Sequence, residues 1–97
     1  MSTSQEHAQA AVLELVRRIV EALVDNAERV SIVPVLGERS TVIEVSAEPP
    51  EVGQVIGRGG RNIHALQAIV QAVGAKHGLD CQVFVLDRPR GGPPTEQ

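Results

Sequence analysis

The stretch Val55-Ile56-Gly57-Arg58-Gly59-Gly60-Arg61-Asn62-Ile63 constrains the fold of this chain more than any other. It joins a short apolar segment to a longer amphipathic one and reads as helix, tight loop, helix. Gly57 and Gly60 bracket Arg58 and Gly59 in a G-x-x-G unit. The outer glycines can take backbone angles closed to other residues and place no Cβ in the way, so a second molecule can approach the backbone closely. The helix that begins near Gly60 opens with free N–H groups and the positive end of its dipole, and Arg58 and Arg61 stand beside them. Backbone amides from Gly60 to Asn62, together with the two guanidinium groups, suit phosphate.

G-x-x-G alone is a weak signal in a chain with 9 glycines. Its flanks sharpen it: Ile56 before the first glycine and Ile63 three residues after the second give I-G-x-x-G-x-x-I. That is the signature of the KH module, whose loop clamps the backbone of about four nucleotides. Two other phosphate loops are excluded, because a Walker loop ends in Gly-Lys-Ser/Thr and a dinucleotide fingerprint needs three glycines directly after a strand.

Ninety-seven residues with 42% hydrophobic content support a single compact domain with an almost wholly aliphatic core, since Phe84 is the only aromatic residue. The scarcity of rings argues against RRM and OB folds, which use them as platforms for bases; a KH groove relies more on aliphatic contact and hydrogen bonds. Cys81 is the single cysteine, so no intramolecular disulfide can form. No Cys/His cluster has zinc spacing, and the domain is expected to fold with no metal and no cofactor. No apolar run approaches about 18 residues and the start lacks a signal-peptide core, so a soluble, cytoplasmic protein with no membrane association is expected. The net charge of -3 opposes nucleic acid at face value. Its distribution does not: Val52 to Leu79 contains no Asp or Glu and three bases, Arg58, Arg61 and Lys76, for +3, leaving 6 bases and 12 acids, or -6, elsewhere.

Residues 1–5 are expected to be disordered, with Thr3 and Glu6 as a capping box for the first helix. Ala8, Val12, Leu15, Val16, Ile19, Leu23 and Val24 recur at helical spacing. Two segments rich in β-branched residues, 28–36 and 40–47, meet at Gly37-Glu38-Arg39 and predict a hairpin whose first strand, bearing Pro34, lies at an edge. Pro49-Pro50 starts a short helix to Ile56. After the loop, a helix from about Gly60 to His77 turns Ile63, Leu66, Ile69, Val70 and Val73 to the core and stops at Gly78. Gly74 implies close packing or an early end. A final strand spans 81–86. The order α-β-β-α-α-β, with a right-handed crossover between parallel strands, predicts an α+β fold. It is a three-stranded mixed sheet with helices on one face, the type II KH arrangement, over residues 6–88, with a flexible tail over 89–97.

At this point the chain resembles the KhpA (YlqC-like) family of small bacterial single-KH-domain proteins. The likeness runs from Leu15 to Leu86. It is carried by Leu23-Val24-Asp25-Asn26, by Gly37-Glu38-Arg39-Ser40, by the run from Val52 to Arg61 with Ile63, and by Ala68-Ile69-Val70-Gln71-Ala72. The resemblance implies a cytoplasmic RNA-binding protein, an RNA chaperone or post-transcriptional regulator linked to cell shape. It also implies a homodimer, or a heteromer with a second, KhpB-like KH protein. Two departures lower the expected affinity: Gly59 stands where the family places a polar residue, and Gln67 and Gln71 stand where it tends to carry Lys or Arg.

The expected ligand is therefore single-stranded RNA. Gly57, Arg58, Gly59, Gly60, Arg61 and Asn62 would hold its backbone, and Val55, Ile56 and Ile63, with Leu66, would line an apolar groove. The alternative keeps the KH fold as a protein-interaction or dimerisation module with little RNA affinity. Catalysis is not expected, because His7, His64 and His77 have no Ser, Cys or carboxylate partner at motif spacing.

Overall fold

The computed structural model describes residues 3–87, with side chains from Gln5. Helix α1 (Thr3–Leu23) leads through a 3-10 turn (Ala27–Arg29) into strands β1 (Ser31–Leu36) and β2 (Ser40–Ala47). Helix α2 (Pro49–Ile56), a 3-10 turn (Arg58–Gly60), helix α3 (Arg61–Lys76) and strand β3 (Asp80–Asp87) follow. This is the expected α-β-β-α-α-β order. The expected tail over 89–97, and Arg88 at the domain boundary, lie outside the described residues.

Helix α1 begins earlier than its sequence suggested. Thr3 to Gln5 are helical rather than disordered, and Gln5 Nε2 donates to the Glu38 carbonyl at 2.7 Å, tying the helix start to the hairpin turn. The buried stripe is Ala8, Val12, Val16 and Val20, a strict i, i+4 row continued by Val24 beyond the helix. Leu15 and Leu23, expected in the core, are half-buried at its margin. The side chains of the stripe join residues of β2, β3, α2 and α3 in one aliphatic core. Arg18 pairs with Glu14 at 3.0 Å across one exposed turn, the local contact expected of that surface.

The sheet order is β1-β2-β3, with β1 antiparallel and β3 parallel to the central β2. The first strand starts at Ser31 rather than Glu28. Residues 27–29 form a turn whose bonds run from Arg29 N–H to Asn26 O and from Val30 N–H to Ala27 O, at 3.0 and 3.1 Å. The Gly37 N–H donates to Ser40 O at 2.7 Å and closes the hairpin. Antiparallel pairs then alternate, so Pro34, opposite Ile43, falls on a non-hydrogen-bonded pair and turns its nitrogen to the open edge. No ladder bond is lost, and the proline blunts that edge. On β2, Thr41, Ile43, Val45 and Ala47 face the helices and are buried; Ser46, on the opposite face, is also buried.

Helix α3 buries Leu66, Val70 and Gly74, again at i, i+4 spacing, with Ile63 and Val73 beside them. Ile69 does not join them: it is 45% exposed, because it lies off the stripe that meets β3. Gly74 marks close packing, not an early end. The helix stops two residues later in a Schellman motif: Gly78 N–H bonds Ala75 O, Leu79 N–H bonds Gly74 O, and Gly78 takes φ +73°. Gln67 has a role its sequence position did not suggest. Its Oε1 accepts from Val83 N–H at 2.8 Å and its Nε2 donates to Val83 O at 3.0 Å, pairing with the outer edge of β3 as a neighbouring strand would.

Candidate nucleic-acid interface

Helix α2 ends where Gly57 turns to φ +77°, ψ 170°, and Gly59 and Gly60 follow at φ +64° and +79°. All three lie in the region that favours glycine, so the loop's path depends on them. The Gly60 N–H donates to Gly57 O at 3.0 Å and the Arg61 N–H to Arg58 O. These two amides, expected to face phosphate, are therefore used within the turn. The amides of Asn62 and Ile63 head α3, where an α-helix supplies no partner of its own.

Arg58, Gly59 and Arg61 are exposed, and among the described residues neither arginine forms an ion pair. They project from the segment that carries no acidic residue. Asn62 is half-buried: its Nδ2 donates to Gln54 O at 3.1 Å. A Cβ on Gly57 would lie 2.6 Å from the Asn62 Cγ. The Asn62 side chain therefore braces the loop from beneath and is not free to meet a ligand. Gln54 was not singled out from the sequence, because a backbone acceptor leaves no residue-type signal.

The apolar candidates divide. Val55 is 0% exposed and Leu66 2%, so both are core and offer no surface to a ligand. They lie on the faces by which α2 and α3 pack on the sheet. Ile56 and Ile63 are half-buried and remain available. Gly53, in the middle of α2, is exposed, and a Cβ there would meet nothing within 4 Å. Close helix packing therefore does not explain this glycine. Gly53→Ala is accordingly expected to raise stability by up to about 1 kcal/mol, measurable as an increase in the denaturation midpoint.

Cys81 lies in the core, and burial pushes its thiol up from the usual range, with the Asp80 carboxylate adding to the effect. It stays protonated at neutral pH and is not a nucleophile.

A glycine loop joining two helices between parallel strands, with the third strand antiparallel at the side, defines a KH domain of the type II order. The chain belongs to the KhpA/KhpB KH-domain family, whose sequence model matches residues 13–85. It is 39% identical over 78 residues to the RNA-binding protein KhpA of Aquifex aeolicus, covering 80% of this chain and 99% of that one. It is 41% identical over 73 residues to the RNA-binding protein KhpA of Clostridium perfringens, covering 75% and 97%. Against the protein of the same name from Borreliella burgdorferi the identity is 36% over 75 residues, covering 77% and 92%.

Proposed function

We propose that this protein binds single-stranded RNA through the loop from Gly57 to Asn62, by its backbone and with little base preference, and that its role is binding rather than catalysis. The observation that carries this reading is the pair Arg58 and Arg61, exposed on a positive-φ glycine turn at the head of α3 without an acidic partner among the described residues. The relatives named RNA-binding protein KhpA support it. Ile56 and Ile63 supply apolar contact, and Gly53 leaves the outer surface of α2 open beside them. The test is affinity for a short oligouridine against salt. Neutralising two to three phosphates gives a slope of log affinity on log salt of about -1.4 to -2.1 for a single strand. A slope near zero, or no binding at low salt, would refute the reading.

Self-association is a second property, favoured by the outer face of α3. Ile69 is exposed there between Ala65, Ala68 and Ala72, all exposed and small enough to admit a second helix. The strand edges are poorer candidates, since Pro34 blunts one and Gln67 pairs with the other. We place a homodimer contact, or the contact with a KhpB-like partner, on this face. Wild type should sediment as a dimer at high micromolar concentration and Ile69→Asp as a monomer; a monomeric wild type that recovers no KH partner would exclude it. No helix among the described residues is long and apolar enough to cross a membrane. Action in the cytoplasm, on RNA regulation and through it on cell shape, is the setting we infer.

A further inference from the structure

We propose that Asp25, Gln54 and Asn62 form a positioning chain that holds the glycine loop in its binding geometry, with Asp25 acting on RNA affinity without touching RNA. The proposal rests on the RNA reading above. Gln54 lies near the end of α2, one of the last positions whose carbonyl has no partner within the helix. Asn62 Nδ2 fills that vacancy at 3.1 Å, and the same carboxamide occupies the space beneath Gly57. The side chain of Gln54 reaches the other way. Its Oε1 accepts from the Asp25 N–H at 3.0 Å and its Nε2 donates to Asp25 Oδ2 at 2.9 Å. One turn earlier on α2, Glu51 Oε2 accepts from Asn26 Nδ2 at 3.4 Å.

Two consecutive residues beyond the end of α1 thus grip α2 one turn apart, and the grip passes through Gln54 to the first turn of α3. Helix α2 cannot rotate at its loop-bearing end without breaking these bonds. Binding by backbone donors gains from having them fixed before the ligand arrives, because ordering them on association lowers affinity. Asp25 is exposed and carries a negative charge, which separates two roles by sign. If it acted on RNA only through charge, removing it would strengthen binding to a polyanion. If it positions the loop, removing it weakens binding.

The experiment uses the full chain, a fluorescent oligouridine, and the variants Asp25→Ala and Asp25→Asn. Asparagine keeps an oxygen to accept from Gln54 Nε2 while dropping the charge. Asp25→Ala is expected to bind about threefold to tenfold more weakly than wild type, the scale of one lost hydrogen bond. Asp25→Asn should bind at least as tightly as wild type. The salt slope should be the same in all three, because the number of phosphates neutralised does not change. Amide hydrogen exchange at Gly60 and Arg61 should quicken in Asp25→Ala alone. A folded Asp25→Ala that binds as tightly as wild type, or whose loop amides exchange no faster, overturns the proposal. If wild type itself fails to bind oligouridine, the RNA reading falls, and the exchange rates still decide whether the chain holds the loop.

Discussion

Replacing Arg58 and Gly59 together by Asp is expected to abolish RNA binding and leave the fold intact. Arg58→Asp changes the local charge by -2 and Gly59→Asp by -1, so the segment from Val52 to Leu79 falls from +3 to zero. The two new carboxylates would stand at the proposed phosphate site. Losing even one charge-assisted contact weakens binding by at least about tenfold, and here repulsion is added. The fold should tolerate both changes. Arg58 and Gly59 are exposed, and a Cβ at Gly59 would meet nothing within 4 Å. Gly59 sits at φ +64°, ψ +18°, a left-handed conformation that Asp adopts more readily than most residues, at a cost of about 1 kcal/mol. Anisotropy titration with circular dichroism on the same samples checks both halves, and charge reversal of Arg17 and Arg18 on α1 serves as the control that should change little. A folded loop variant that binds like wild type would remove the loop from the site.

The largest effect on stability is expected at Gly74. An alanine there would set its Cβ 2.7 Å from Cys81 Sγ and 2.9 Å from the Leu79 carbonyl oxygen. The sulfur is buried, and the carbonyl is backbone held by the end of α3, so neither can move aside cheaply. Alanine would gain up to about 1 kcal/mol in helix propensity, yet overpacking costs about 1–3 kcal/mol and more where backbone must shift. The expected net loss is about 2 kcal/mol, or roughly 8–16 °C in Tm for a domain of this size. Adding Cys81→Ala should recover part of the loss and not all of it, because the carbonyl contact remains. Thermal unfolding of the two variants settles this, and an unchanged Tm for Gly74→Ala would show that α3 and β3 can separate freely.

Much of the architecture was legible because its signals are local. The hairpin showed in Gly37-Glu38-Arg39 between β-branched runs, and β2 was placed at its observed ends, 40–47. The glycine loop announced its own geometry. What escaped depends on contacts between distant residues. Ile69 has the spacing of a core residue, but which side of α3 meets β3 is decided by the crossing of the two elements, and that crossing selects 66, 70 and 74. Likewise, Val55 reads as groove lining because it adjoins the loop, while its side chain points into the core. Asp25 and Asn26 stood out as a string, but their partners are 29 and 25 residues away. Gln67 looked like a missing base on a binding surface; its carboxamide is engaged with a strand 16 residues later. In each case the residue type was visible and its partner was not.

The two outer strands also decide how copies of this protein can accumulate. A sheet with an open margin permits additions that never reach a natural stopping point, and a small, aliphatic, β-branched domain is the kind of chain in which such growth ends in fibres. Here a proline ring turns toward one margin and a glutamine side chain imitates the next strand at the other. Contacts made through helices instead can close around a two-fold axis and leave no surface for a third copy. Growth by strand addition is thus opposed at both margins by side chains that the sequence places there for local reasons.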